Sequence, residues 1–241
     1  MLEARDLRLA GRLDAVSAEL RPGEVTAICG PNGAGKSTLL ECLAGLLAPQ
    51  RGSVLLDGQP IGSLQPRHRA RAIGYLPQDG EIAWDLSVRY LVALGRLPHG
   101  DRADGPVKAA LAALDLETVS TRPVSTLSGG EKARVLLARV LAGEPGWILA
   151  DEPLAALDLG HQLALVAHLR AAARRGTGVV LVLHDLALAM NHADRVLVLD
   201  KGRLAADGAP EPALDPALIE RVWGVPARWL GEAGARALVA G

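Results

Sequence analysis

Short apolar runs rich in valine, isoleucine and leucine alternate with amphipathic stretches along most of the chain. Such runs are typical of strands buried on both faces of a sheet, and the stretches between them have the spacing of helices with one apolar face. The alternation predicts an α/β fold with a mainly parallel sheet covered by helices. The predicted strands are 25–29, 72–76, 147–150, 179–183 and 195–199, and the helices between them include 35–47, 159–175 and 185–192.

Two segments depart from this alternation. Near the start, residues 2–9 and 15–20 indicate a smaller, antiparallel set of strands. Residues 79–142 contain no convincing strand, and we interpret them as a helical insertion into the core. The helices predicted within the insertion are 86–96, 104–115 and 129–142.

The C-terminal region has its own pattern. A hairpin is predicted to turn at Lys201-Gly202, and a last helix is predicted over 215–223. Residues 231–241, GEAGARALVAG, are predicted to form a loose tail. No internal repeat or low-complexity tract is evident in the sequence.

Composition narrows the classes of function. The chain has 241 residues, 49% of them hydrophobic, and a formal net charge of −1, which gives no electrostatic reason to expect nucleic acid. The N-terminus does not resemble a secretory signal, and no apolar run approaches the ~20 residues that span a bilayer. Cys29 and Cys42 are predicted to be reduced thiols, which suits a cytosolic protein. A role at a membrane would therefore require a partner chain.

A glycine-rich loop follows the first buried strand. Residues 30–37, GPNGAGKS, match the phosphate-binding pattern G-x-x-x-x-G-K-[ST] in its expected place between a strand and a helix. The plainer alternative is a strand-to-helix turn with a chance lysine. In the phosphate-site interpretation Lys36 reaches the β- and γ-phosphates, Ser37 binds Mg²⁺ and Thr38 binds the α-phosphate. Successive backbone N–H groups of this loop would form the nest for the phosphates, and the loop residues expected to bind the nucleotide are Gly30, Pro31, Asn32, Gly33, Ala34 and Gly35.

Two carboxylates follow another buried strand, in WILADEP (147–153). Asp151 is the candidate for the metal side of the site, and Glu152 is the candidate base or water-orienting group. A strand-end carboxylate pair can instead cap a helix or lie in a surface turn. The phosphate-binding loop earlier in the chain favours the catalytic interpretation.

A third motif, LSGGE (127–131), precedes the helix predicted over 129–142. Ser128 and Glu131 have the spacing of a capping box, which explains these two residues. It does not explain Gly129 and Gly130, because each glycine in a helix costs about 1 kcal/mol relative to alanine. Adjacent glycines at a helix N-terminus indicate that an anion approaches the backbone closely.

Taken together, these motifs resemble the ATP-binding subunits of ATP-binding-cassette (ABC) transporters. The resemblance covers about residues 2–210 and rests on GPNGAGKST, LSGGE, ILADEP, LAALD (154–158) and LHD (183–185), in that order. It implies one P-loop ATPase domain over 1–241, with ATP and Mg²⁺ as cofactors. Within that domain the predicted divisions are a core of 1–78 and 143–210, a helical subdomain of 79–142 and a C-terminal helix and tail of 211–241.

The resemblance also implies roles for individual residues. Gln78 matches the glutamine that links the γ-phosphate and Mg²⁺ to the helical insertion, and His184 matches the histidine that contacts the γ-phosphate and holds the attacking water. Asp158 lies in the loop that crosses between subunits. Ser128 and the N–H groups of Gly129 and Gly130 would bind the ATP held by a second subunit. A lone histidine after a buried strand is otherwise more often a packing residue.

The sequence departs from the family pattern at two positions. The family stacks adenine on an aromatic residue before the P-loop, whereas the first aromatic residue here is Tyr75. In the absence of an earlier aromatic residue, Arg12 or Leu13 is the candidate to contact the adenine base, because the planar guanidinium group of an arginine can stack on a base. Ala155 also replaces the hydroxyl residue that is common in the crossing loop, which removes one hydrogen bond.

The most specific resemblance is to importers of iron–siderophore complexes, haem or cobalamin, through residues 84–99 and 157–162, and among these cargoes it favours iron chelates. It implies a peripheral position on the cytoplasmic face of the cell membrane and a second ATPase subunit. It also implies integral-membrane permease subunits that contact residues 79–100 and, indirectly, an external substrate-binding protein. The alternatives are the motor of an exporter and a soluble ABC assembly ATPase. An amphipathic helix packed on its own core is the plainer interpretation of 84–99.

Overall fold

The computed structural model describes residues 1–78, 85–101, 103–155 and 157–241. Two sheets account for most of the strands, and both confirm the expected α/β class. The smaller sheet is antiparallel, with the order β2-β1-β4-β5. Its strands are β1 (Leu2–Leu9), β2 (Leu13–Leu20), β4 (Arg51–Leu56) and β5 (Gln59–Pro60).

The larger sheet has six strands in the order β10-β9-β3-β8-β7-β6. Five of them are parallel, and only the pairing of β10 with β9 is antiparallel. That pair forms the hairpin predicted at Lys201-Gly202. The strands are β3 (Val25–Cys29), β6 (Ile73–Leu76), β7 (Trp147–Asp151), β8 (Gly178–Val182), β9 (Arg195–Asp200) and β10 (Arg203–Gly208).

Helices cover both faces of the larger sheet. Alternate residues of β3 point to different sides, so that Ala27 and Cys29 join one hydrophobic core and Ile28 joins the other. The helices are α1 (Lys36–Leu43), α2 (Pro66–Ala72), α3 (Val88–Ala93), α4 (Asp104–Ala113), α5 (Gly129–Ala142), α6 (Leu159–Arg174), α7 (Leu186–His192), α8 (Pro210–Ala213) and α9 (Pro216–Trp223). Cys29 and Cys42 are both buried free thiols, as predicted.

The described part of the insertion is helical, as predicted, and consists mainly of α3, α4 and α5. Residues 79–84, where the insertion was predicted to begin, lie outside the described residues. The helix predicted over 86–96 is α3 followed by a 3₁₀ turn at Leu94–Arg96. Among the described residues, no helix combines the length and apolarity needed to cross a bilayer.

The 3₁₀ turn at Leu94–Arg96 is fixed against α5 by close backbone packing at one residue and by a buried charge at the next. A Cβ at Gly95 would overlap the backbone carbonyl oxygen of Arg139. The next residue, Arg96, has a side chain that is only 7% exposed, and it pairs with Asp101 at 2.6 Å and with Glu144 at 2.8 Å. The turn therefore depends on a glycine at one position and on an ion-paired arginine at the next.

The prediction of a loose C-terminal tail was wrong. Residues 227–240 contain an antiparallel hairpin of β11 (Ala227–Leu230) and β12 (Ala237–Ala240). Trp229 and Leu238 lie opposite each other in it and pack against the main hydrophobic core. The ring N–H of Trp229 also donates to the carbonyl of Leu214 at 2.8 Å. Burial of these two side chains outweighs the small, flexible residues that separate the strands.

Replacement of Gly95 by alanine tests the close contact with α5. We expect Gly95→Ala to destabilise the protein by about 1–3 kcal/mol, because the overlap is with backbone and no side-chain rotation relieves it. Urea unfolding measures this change. Gly105→Ala in α4 is the matched control, since its new methyl group would meet no atom within 4 Å, and we expect it to be neutral or stabilising. Equal stability of the two variants would contradict the account.

Candidate active site

The phosphate-binding loop connects β3 to α1, as predicted. Gly30 and Gly35 hold it in place, with φ angles of +151° and +99°. A Cβ at Gly35 would lie 2.5 Å from the carbonyl oxygen of Arg12, and one at Gly30 would overlap the carbonyl of Leu199. Both glycines are therefore required by backbone conformation and by close packing. The loop ends at the N-terminus of α1, where unpaired N–H groups favour an anion.

Lys36 is buried within the loop. Its ammonium group donates to the carbonyls of Gly30 at 3.0 Å and Pro31 at 3.1 Å. Burial lowers the pKa of Lys36, while the negative charge of Glu152 acts in the opposite direction. A phosphate in the loop would supply the counter-charge that this ammonium group lacks.

Asp151 ends β7 and is only 3% exposed. Its Oδ1 atom is buried and has no hydrogen-bond partner among the described residues. Burial raises the pKa of Asp151 above its usual range, opposed by the hydroxyl of Ser37 and the charge of Lys36. A buried, unpartnered carboxylate oxygen near a serine hydroxyl fits Mg²⁺, which prefers oxygen ligands. The described residues contain no cluster of three or more acidic, histidine or cysteine ligands, and Mg²⁺ at phosphate sites does not require one.

Glu152 is held between two side chains from neighbouring strand ends. Gln78, which follows β6, donates from Nε2 to Glu152 Oε2 at 2.9 Å. His184, which follows β8, forms a hydrogen bond through Nε2 with Glu152 Oε1. Glu152 itself has a φ of +51°, which is uncommon for a residue with a side chain. This left-handed conformation costs on the order of 1–3 kcal/mol and is typical of functional sites.

Lys36, Glu152, Gln78 and His184 surround one open cavity of about 640 Å³, whereas the buried Asp151 is not among the residues that line it. Its volume is within the range of cofactor pockets. The structure therefore brings together predicted residues from five separate segments of the chain. The lining residues are Arg12, Asn32, Gly33, Gly35, Lys36, Ser37, Thr38, Gln78, Glu152 and His184.

Arg12 reaches this cavity from the turn between β1 and β2. That turn is fixed by backbone contacts that the sequence analysis did not identify. The N–H of Asp14 donates to the carbonyl of Gly202 at 2.8 Å, and the N–H of Gly202 donates to the carbonyl of Ala34 at 3.0 Å. The hairpin signal at Lys201-Gly202 could have been used to find this link between the hairpin and the phosphate loop.

The third motif lies elsewhere. Ser128 caps α5 and forms the predicted capping box: Glu131 N donates to its hydroxyl at 3.2 Å, and its own N–H donates to Glu131 Oε2 at 2.8 Å. Ser128, Gly129 and Gly130 are all described, and none of them lines the cavity of their own chain. Gly129 is exposed, and a Cβ there would meet no described atom within 4 Å.

The crossing-loop residue Asp158 has a local role in the structure. Its side chain caps α6 by accepting from the N–H of His161 at 2.9 Å. The same carboxylate contacts the ring nitrogen Nδ1 of His161 at 2.8 Å. The role between subunits that was expected for Asp158 remains a prediction.

The arrangement around the cavity is typical of P-loop nucleotide hydrolases, in which a phosphate-binding loop lies beside a strand-end aspartate and an adjacent glutamate. The family model for ABC transporters matches residues 13–155. The chain therefore belongs to the ABC transporter family and is an ABC ATPase. This assignment confirms the resemblance deduced from the motifs.

Three individual proteins illustrate the similarity. The chain is 49% identical to a hemin import ATP-binding protein, HmuV, of Nocardia farcinica, over 88% of this chain and 75% of that protein. It is 45% identical to the HmuV of Gloeobacter violaceus, over 93% and 88% of the two chains. A solved inward-facing structure of a putative metal-chelate type ABC transporter aligns with a TM-score of 0.82 and 26% identity, covering 99% of this chain and 96% of that one.

Proposed function

We propose that this chain is the ATP-hydrolysing subunit of an ABC importer whose cargo is haem. ATP hydrolysis is supported by the position of Glu152, which lies between Gln78 and His184 and beside the phosphate-binding loop. The importer and its cargo are supported by the relatives at 45–49% identity that are named hemin import ATP-binding proteins. Of the three cargo classes expected from the sequence, these relatives favour haem.

In the proposed mechanism the chain positions ATP and water and stabilises negative charge. Lys36 and the N–H groups of the loop hold the β- and γ-phosphates. Glu152 accepts a proton from the water that attacks the γ-phosphorus, and His184 keeps that water and the carboxylate aligned. The bond between the γ-phosphorus and the bridging oxygen breaks, and ADP and phosphate leave.

We infer that Mg²⁺ is held by Ser37, Asp151 and Gln78. The buried and unpartnered Oδ1 of Asp151 supports this inference. The metal ion would neutralise charge that develops on the phosphate oxygens. Arg12, at the wall of the same cavity, is the proposed contact of the adenine base.

A single substitution tests the role of Glu152. We expect Glu152→Gln to bind ATP normally and to hydrolyse it about 10²–10⁴-fold more slowly, because the amide cannot accept the proton. ATP turnover and nucleotide affinity are measured on the same preparation. Glu117→Gln, the same chemical change at an exposed position, is the control and should keep wild-type turnover. Near-normal turnover of Glu152→Gln would remove Glu152 from this role.

We propose that the complete site forms between two copies of the chain. Ser128 and the backbone N–H groups at Gly129 and Gly130 lie at the exposed start of α5 and outside the cavity of their own chain. The N-terminus of a 14-residue helix favours a phosphate through its unpaired N–H groups and its dipole. In the closed dimer, Ser128 would exchange its capping bond for a contact with the partner's ATP.

A groove on the helical insertion supports the proposed contact with a permease. It has a volume of about 550 Å³ and lies between α3 and α4. Tyr90 and Leu97 line it and are 60% and 69% exposed, beside the ion pair of Arg89 with Asp104. Exposed apolar side chains with charged neighbours fit an amphipathic helix from the cytoplasmic side of a permease. The chain would thus be peripheral to the membrane, with a substrate-binding protein acting on the other side.

The cargo is tested with the transporter assembled from this chain and its permease in proteoliposomes. We expect hemin, presented with the cognate binding protein, to be taken up with ATP and to stimulate hydrolysis several-fold, whereas a ferric siderophore and cobalamin have no such effect. Glu152→Gln complexes serve as the inactive control. Uptake of cobalamin or siderophore in place of hemin would refute the cargo, and export in place of uptake would refute the importer.

A further inference from the structure

The C-terminal hairpin of β11 and β12 has contacts that bear on the catalytic histidine. Asn191, in the last turn of α7, pairs with the backbone of Arg236 at two points. Its Nδ2 donates to the carbonyl of Arg236 and the N–H of Arg236 donates to its Oδ1, each at 2.8 Å. Both hydrogen bonds are partly buried, so water cannot easily replace either partner if one of them is lost.

The side chain of Arg236 extends this connection. Its guanidinium group forms an ion pair with Glu211 of α8 at 3.1 Å and lies 3.8 Å from the sulfur of Met190. The hairpin therefore contacts α7 through two consecutive residues, Met190 and Asn191, and joins it to α8. In addition, Arg170 of α6 donates to the carbonyl of His192, the last residue of α7, at 2.9 Å.

Helix α7 leads directly to the catalytic site. Its first residue, Leu186, follows Asp185, whose side chain caps the helix by accepting from Ala187 N at 2.7 Å and Leu188 N at 3.1 Å. His184 immediately precedes this cap and forms a hydrogen bond with Glu152. Any shift of the helix along its axis would move His184 relative to that carboxylate.

A helix of this length depends on its neighbours for its position. With seven residues, α7 is about 10 Å long, and isolated helices shorter than about 12 residues are marginal in water. Leu186, Ala189 and Met190 are buried and fix one face of it. The last turn is held by Arg170 and by the C-terminal hairpin.

We propose that the C-terminal hairpin is a positioning element for His184, acting through α7, with Asn191 as the positioning residue. The inference rests on the proposed ATPase function, in which His184 aligns water and Glu152. The hairpin does not touch the nucleotide cavity and contributes no catalytic group. It fixes the far end of the helix whose near end carries the histidine.

The test compares Asn191→Leu with wild type in the full chain. Leucine has a similar size but forms neither bond to Arg236, so the hairpin should detach from α7. We expect kcat for ATP to fall roughly tenfold, because small displacements of catalytic groups have effects of this order, and KM for ATP to stay within about twofold. Arg228→Ala, at an exposed position in the same hairpin, is the control and should keep wild-type values.

The same substitution on a His184→Ala background separates positioning from general loss of structure. If the hairpin acts through His184, Asn191→Leu should cause no further loss of kcat in the absence of that histidine. Asn191→Asp, which keeps an acceptor for the N–H of Arg236 but loses the donor to its carbonyl, is the milder variant should Asn191→Leu fold poorly. Unchanged kcat in both variants, or an equal fractional loss on both backgrounds, would overturn the proposal. A wild-type chain that fails to hydrolyse ATP would instead refute the proposed function.

Discussion

Parallel pairing of β3, β8, β7 and β6 brings four strand ends to one edge of the sheet, and the positions of the phosphate-binding loop, Gln78, Glu152 and His184 depend on this arrangement. The register places Asp151 beside Val182, so that the residues after each strand face each other. Glu152 can therefore contact both Gln78 and His184, although these residues are 74 and 32 positions away in the chain. Burial of the apolar strands on both faces supplies the stability that holds this edge together.

Among the described residues, two buried groups at this edge, an ammonium and a carboxylate, lack the counter-charge or hydrogen-bond partner that a bound ligand would supply. Within the part of the chain that the structure describes, the ammonium group of Lys36 donates only to backbone carbonyls of its own loop, and Asp151 has a buried oxygen without a partner. Such groups cost stability in a chain without nucleotide, and a ligand that carries phosphate and Mg²⁺ would satisfy both. The positive φ of Glu152 also costs stability, and it occurs at the residue whose side chain lies between Gln78 and His184.

Much of the fold and most of the proposed site could be predicted from local sequence. Buried strands such as the one predicted over 147–150 have a continuous apolar pattern, and the phosphate loop has a motif whose spacing follows from its geometry. The position of the turn that carries Arg12 was harder to predict. Its contact with Gly35 is between backbone atoms, which residue types alone do not reveal. The C-terminal hairpin was missed because its stability comes from two inward side chains, Trp229 and Leu238, and from Asn191, which is distant in sequence.

In the proposed dimer each chain supplies two different halves of two active sites, and the exposed start of α5 allows a direct test of this arrangement. The measurement compares Gly129→Glu with Gly105→Glu, a matched change at the exposed start of α4. For each variant, nucleotide affinity of the monomer is measured together with ATP-driven dimerisation and turnover. The account predicts that Gly129→Glu binds ATP normally as a monomer but neither dimerises nor hydrolyses it, because the added carboxylate repels the partner's phosphates. Loss of monomer nucleotide binding in Gly129→Glu, or normal dimerisation and turnover, would contradict the account.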